Sequence, residues 1–167
     1  MTTVTVFHLE IPSRSEFQPS GQRPRYQLEQ VTARSAGFLR FLYVTTGSDW
    51  HWVDRLEWTD EQWLNRQASP GVEFWIGLEG GAPLGYFELA RHSDGETVEI
   101  VYFGLLPHVV GTGQGGALLS AAVERAWDMG ANRVYVNTCT LDHPRALENY
   151  RKRGFRLFRE ETKTRSI

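Results

Sequence analysis

Cysteine is nearly missing from this chain of 167 residues, in which Cys139 stands alone. A lone thiol excludes an intrachain disulfide and a cysteine-rich zinc site. An excess of charge of either sign is missing too. Lys and Arg total 18 against 20 Asp and Glu, a formal net charge of −2, so the balance does not advertise a nucleic acid or an anionic membrane as partner. No apolar run approaches the ~18 residues a membrane-spanning helix needs. Residues 1–10 carry no basic segment leading into an apolar one, the mark of a secretory signal. There is no internal repeat and no composition break that would announce a second domain. The expectation is one domain over residues 1–167, cytoplasmic, with no metal, nucleic acid or membrane.

What is present is an ordinary globular balance, 41% hydrophobic and 23% charged, too apolar for a disordered chain. Residues 3–11 alternate and read as a strand. Residues 12–25, with three prolines, a glycine and three serines, read as a loop. A short strand over 26–31 is followed by a helix with Phe38, Leu39, Phe41 and Leu42 on one face, capped by Thr32 or Ser35. Thr59 and Gln62 form a capping-box pattern and predict a short helix carrying Trp63 and Leu64. Strands over 72–78, 84–91 and 97–106, joined by turns at 80–83 and 92–95, make an antiparallel meander. A glycine run from Gly111 to Gly116 then opens a helix with Leu118, Leu119, Ala122, Val123 and Ala126 on one face, stopped at Gly130. A strand follows over 133–138, a helix starting at His143 and Pro144 and ending at Gly154, and a last strand over 155–158. The class is α+β, of the three-layer α/β sandwich type, with a mixed, mostly antiparallel sheet flanked by helices.

The glycine run lies between a strand and a helix. Helix N-terminal N–H groups lack partners and the dipole there favours anions, so glycines that admit close approach make a phosphate cradle. Gly111, Gly113 and Gly116 match the dinucleotide fingerprint letter for letter. A meander precedes them, however, rather than a first parallel strand, and no acid stands in 135–138 where the ribose partner belongs. A triphosphate loop is excluded because no Lys-Ser or Lys-Thr pair follows. A turn that serves packing alone is the bland alternative.

From Val98 to Phe155 the sequence resembles the Gcn5-related N-acetyltransferase (GNAT) superfamily. Val98-Glu99-Ile100-Val101-Tyr102, then Leu105-Leu106-Pro107, then Gly113 and Gly115, looks like its central strand and pyrophosphate loop. His143-Pro144-Arg145-Ala146, Tyr150 and Gly154-Phe155 look like its second signature. Val110 stands where the family usually has Arg or Gln, and His143 where it often has Asn. The resemblance implies a GNAT-like fold, acetyl-CoA as cosubstrate, and transfer of its acetyl group to a primary amine by direct attack. It implies a coenzyme site at Phe103, Gly104, Leu105, Val110, Gly111, Thr112, Gly113, Gln114, Gly115, Gly116, His143 and Tyr150. Strands that splay near residues 103–105 would admit the pantetheine arm, and a backbone N–H there would polarise the carbonyl. Dimers are common in the superfamily, although nothing in this sequence predicts one.

An amine must lose a proton to attack and the departing thiolate is best protonated. Glu99, on the strand before the loop, is the candidate base, with Glu88 in reserve. Strict alternation puts Glu99, Val101 and Phe103 on one face. Tyr150 is the candidate acid by its match to the family position, although it also completes an apolar helix face with Ala146 and Leu147. Cys139, four residues before His143, offers an acyl-cysteine route or is simply a small buried residue. Residues 43–63 form the expected acceptor wall, where Trp50, His51, Trp52 and Trp58 stand among Asp49, Asp54 and Glu57 and suit a cationic amine or belong to the core. The acceptor would be a small-molecule or peptide amine. The alternative is a non-catalytic acyl-CoA-binding sensor or partner domain of the same fold.

Overall fold

Local signals start and stop the elements in the computed structural model, which describes residues 1–166. The Ser35 hydroxyl accepts from Phe38 N–H at 3.2 Å and opens α1 (Ala36–Gly47). The Thr59–Gln62 capping box closes in both directions, at 2.8 and 3.2 Å, and opens α2 (Asp60–Ala68). Gly80 and Gly81, at φ 61° and 83°, turn β3 (Val72–Glu79) into β4 (Ala82–Arg91). Two left-handed residues suffice for this hairpin, so Ala82 and Pro83 already belong to β4. The remaining elements are β1 (Thr2–Ile11), β2 (Gln27–Gln30), β5 (Thr97–Leu105), α3 (Gln114–Asp128), β6 (Arg133–Cys139), α4 (Ala146–Lys152) and β7 (Arg156–Arg165).

The strands form one seven-stranded sheet in the order β2-β3-β4-β5-β6-β1-β7. β5 and β6 are parallel and the other neighbours antiparallel. β5 and β6 are the neighbouring pair that runs parallel, and α3 supplies the crossover between them. The N-terminal strand is seated between β6 and β7. Successive residues on a strand serve opposite faces. Leu84, Phe87, Leu89, Val98 and Ile100 pack under α3 with Leu118, Leu119 and Val123. Phe74, Ile76 and Tyr86 pack under α1 and α2 with Leu39, Leu42, Tyr43 and Trp63. This is the three-layer α+β arrangement.

Two boundaries differ from expectation. His143 and Pro144 form a turn, closed by Ala146 N–H on the His143 carbonyl at 2.9 Å, and α4 begins only at Ala146. β7 continues to Arg165 instead of ending near Phe158. Its second half is charged and mostly exposed, as suits a strand at a sheet edge, and its order comes from pairing with β1.

Candidate active site

The site begins with an irregularity. The pairing of β4 with β5 slips at Glu88, which faces Tyr102, while Leu89 faces Ile100. Val101 is left unmatched, a bulge that inverts the alternation beyond it. Val98 and Ile100 enter the core under α3 before the bulge; Phe103 and Leu105 pack against the same core after it. Tyr102 turns to the α1–α2 side. Glu99 therefore shares its face with Tyr102 and not with Phe103.

The parallel pairing of β5 with β6 runs from Thr97–Arg133 to Ile100–Val136 and stops. From Val101 to Leu105, β5 is paired only with β4, and a cavity of about 730 Å³ lies along its free edge. Glu99, Phe103, Gly104, Leu105, Val110, Gly111, Gly113, Gly115, Gly116, His143 and Tyr150 all line it. The expected splay and the expected site residues meet there, with two exceptions. Thr112 Oγ1 donates to the Val109 carbonyl at 2.6 Å. Gln114 is buried, and its Oε1 accepts from Arg25 N–H at 2.9 Å. Neither side chain is in the cavity wall.

Gly111 and Gly113 both sit at φ 84°, a conformation that glycine adopts without strain. Gly113 caps α3 and no side chain caps the helix in its stead, which leaves the first-turn N–H groups for a ligand. Val110 lines the cavity at 37% exposure and offers no donor. The segment over 18–25, read from the sequence only as a loop, straps the start of α3. Ser20 N–H donates to Ser120 Oγ at 2.8 Å, and Ser20 and Gln22 join the cavity wall.

Tyr150 is 6% exposed, edge-on to Phe103 and Phe155 at 6.4 and 5.6 Å. Burial, helped by the Asp142 carboxylate, raises its hydroxyl pKa well above the ordinary value, so the proton stays on at neutral pH. His143 accepts from Arg145 N–H at 3.0 Å through Nδ1 and packs against Trp50 at 4.9 Å. Burial and Asp142 push the Cys139 thiol up as well. Burial and Asp142 outweigh the nearby N–H groups and Arg165 that favour the thiolate, and a thiol held protonated is a poor nucleophile, which weakens the support for an acyl-cysteine route.

Glu99 is half-buried and pairs with His92 Nε2 at 2.8 Å. Around it lies a polar cluster that sequence reasoning missed. His8 bridges Tyr135 Oη and Glu161 Oε1 at 2.5 and 2.6 Å, and the His92 ring lies 5.9 Å from Tyr135. The reserve base is excluded by its surroundings. Glu88 is 0% exposed and accepts from Arg55 Nη1 and Nη2 at 2.5 and 2.9 Å and from Arg66 Nε at 2.9 Å. Burial works against the charge on Arg55, but the hydrogen bonds and charge of Glu88 outweigh it and raise the guanidinium pKa.

The tryptophans divide. Trp50, His51, Trp52 and Asp54 line the cavity as expected. Trp58 does not: with Trp63 and Tyr102 it surrounds the Arg55 guanidinium at 4.4, 5.6 and 4.7 Å. That aromatic cage is filled by the protein's own cation. Asp54 is held by Arg165 Nη2 at 2.9 and 3.1 Å.

A splayed parallel pair in an α+β fold thus opens beside a glycine-capped helix and a half-buried carboxylate. The chain belongs to the acetyltransferase (GNAT) family, whose model matches residues 31–155. It is similar to a structure from Novosphingobium aromaticivorans ascribed to that family (TM-score 0.66, 14% identity, 97% of this chain and 63% of that one). It is also similar to a GCN5-related N-acetyltransferase from Sphaerobacter thermophilus (TM-score 0.66, 16% identity, 96% and 50%). A third similar structure is an aminoglycoside acetyltransferase from a soil metagenome in complex with sisomicin (TM-score 0.63, 13% identity, 76% and 86%). This chain spans 63% and 50% of the first two. No curated protein matches it. Among the described residues, no group of three His, Cys, Asp or Glu could hold a metal ion, and no helix is long and apolar enough to cross a membrane.

Proposed function

We propose that this protein transfers an acetyl group from acetyl-CoA to a primary amine of a small molecule or peptide, by direct attack. One observation carries the reading. A single cavity wall runs along the free edge of β5, from the Glu99 carboxylate to the first turn of α3. The residues present fit the coenzyme. Uncapped N–H groups at Gly113–Gly116 suit a diphosphate, and an unpaired strand edge suits the amides of an extended arm.

Acetyl-CoA, when bound, supplies a thioester carbonyl to be attacked and a thiol to leave. Glu99 takes the proton of the ammonium, directly or through water, and releases the lone pair that attacks. His92, hydrogen-bonded to Glu99, orients the carboxylate and passes the proton outward. Backbone N–H groups near Phe103–Leu105 polarise the carbonyl. Tyr150, kept protonated by its burial, gives its proton to the departing sulfur and is reprotonated by the proton that the attacking nitrogen loses as the amide forms.

Thermal unfolding with excess acetyl-CoA tests binding. A ligand at 100 times its Kd adds roughly 2.7 kcal/mol of stability, whereas NADH and ATP are expected to add none. Thiol release across a panel of amines tests turnover. Glu99→Gln should lower kcat about 100-fold with acetyl-CoA affinity unchanged. Binding without thiol release from any amine would instead favour a non-catalytic acyl-CoA-binding domain.

A further inference from the structure

Arg153 ends α4 at the cavity with an unsatisfied guanidinium. Its Nε and Nη1 are buried and, among the described residues, neither has a hydrogen-bond partner. Other semi-buried arginines are paired: Arg55 and Arg66 hold Glu88, Arg125 holds Glu73 and Arg133 holds Glu10. Buried N–H donors left without partners on a half-buried cation are a cost to the fold. Such a group is retained where a ligand completes it.

Its position names the ligand's chemistry. Arg153 Nη1 lies 3.5 Å from where a Cβ on Gly116 would sit, and Ser20 Oγ lies 3.2 Å from the same point. Gly116 is in the first turn of α3, where unpartnered N–H groups already favour an anion. The cation is also fixed at its base. Arg153 N–H is shared between the Asn149 and Tyr150 carbonyls at 3.2 and 3.1 Å, and its own carbonyl accepts from Gln18 N–H at 2.9 Å. A planar guanidinium beside backbone donors fits a phosphate oxygen pair.

We infer that Arg153 is a phosphate-binding residue of this site, supplying from α4 the side-chain donor that Val110 cannot supply from the loop. The inference deepens the acetyl-CoA reading and rests on it for the identity of the ligand. Two phosphate sources are open to it, the diphosphate and the 3′-phosphate of the coenzyme.

The test compares wild type, Arg153→Met and Arg153→Lys in calorimetric binding of CoA, 3′-dephospho-CoA, pantetheine and inorganic pyrophosphate, and in turnover of acetyl-CoA. Arg153→Met should weaken CoA at least about tenfold, raise KM for acetyl-CoA to match with kcat unchanged, and leave pantetheine binding unaltered. Arg153→Lys should recover part of the loss. Ligand-free Arg153→Met should unfold at or above the wild-type temperature, because two buried, unpartnered N–H donors have been removed. A purely structural role would lower that temperature. If the loss persists with dephospho-CoA, the diphosphate is the partner; if it disappears, the 3′-phosphate is. Equal CoA affinity in wild type and Arg153→Met, or an equal loss for pantetheine, overturns the inference. Wild type that ignores CoA but binds pyrophosphate through Arg153 would overturn the coenzyme reading alone, and wild type that binds neither would overturn both.

Discussion

Glu88→Gln should cost stability and Glu99→Gln should cost turnover, and the contrast separates two carboxylates on adjacent strands. Glu88 has no exposed surface; its partners Arg55 and Arg66 have side chains 8% and 27% exposed. The amide keeps one acceptor oxygen but loses the charge, and turns an N–H₂ group toward two guanidinium groups. Removing one member of a buried ion pair costs about 3–5 kcal/mol, because the remaining charge is left uncompensated. For a chain of this size each kcal/mol moves Tm by roughly 2–4 °C, so the expected fall is about 6–20 °C. Tryptophan fluorescence is a suitable probe, since Trp58 and Trp63 lie 4.4 and 5.6 Å from the Arg55 guanidinium. Glu99, with a side chain 22% exposed and its ion pair made to His92, should change Tm by no more than about 4 °C on conversion to Gln. The reasoning fails if Glu88→Gln melts within about 2 °C of wild type. It fails in a second way if that variant is stable yet does not turn over, which would make Glu88 the base.

Three further outcomes are expected. Tyr150→Phe should lower kcat about 100-fold or more at unchanged acetyl-CoA affinity, measured by thiol release; an unaltered kcat would assign the leaving-group proton to water. Asp94 is held down to about 2 from 3.8 by the N–H groups of Glu96 and Thr97 and by the Thr97 hydroxyl. A folded pKa below the unfolded one gives stability that is present above the unfolded value and lost as pH falls through the folded one. Between about pH 4 and pH 2, therefore, wild-type Tm should drop more steeply than that of Asp94→Asn, and parallel curves would refute the assignment. Gly154 sits at φ 101°, and a Cβ there would stand 2.1 Å from the Glu16 carbonyl oxygen. Gly154→Ala should lower the urea midpoint by an amount equivalent to about 2 kcal/mol or more, and a midpoint within error of wild type would mean that residues 14–18 shift freely.

Signals confined to a few neighbouring residues were legible in the sequence. The Ser35 cap, the Thr59–Gln62 box, the two-glycine hairpin and the Gly130 stop each act within four or five positions, and each is present in the structure. The glycine-loop wall of the cavity belongs with them, because Phe103–Gly116 and His143–Tyr150 are two short stretches joined by one helix and one strand. Alternation misled at Val101, where the bulge leaves no residue-level mark. The Thr112 and Gln114 side chains lie outside the cavity wall because they are used by Val109 and by Arg25, and the Arg25 contact depends on how residues 18–25 cross α3. Arg153 is one of three consecutive basic residues at the end of α4. Only packing against Gly116 and the strap separates it from its solvated neighbours Arg151 and Lys152.

Trp50, His51, Trp52 and Asp54 were legible because they lie in one segment, but the polar wall around Glu99 was not, for a reason built into the topology. The polar cluster around Glu99 is completed by His8 from β1 and Glu161 from β7, whose hydrogen bonds link residues 127 and 153 positions apart. Lys163 and Arg165 from β7 join the cavity wall, and Arg165 holds Asp54 in the segment that bears Trp50 and Trp52. None of the β1 and β7 residues falls within the stretch 31–155 that the family model matches. The glycine-loop wall thus comes mostly from residues 99–153, whereas the wall around Glu99 is completed only when the first strand is inserted between β6 and β7. Changes at either end of the chain can reshape the acceptor side and leave the glycine loop, the free edge of β5 and Tyr150 untouched. Family membership therefore carries the acyl donor further than it carries the acceptor, and residues 1–11 and 156–165 are where substitutions should alter amine preference at constant acetyl-CoA affinity.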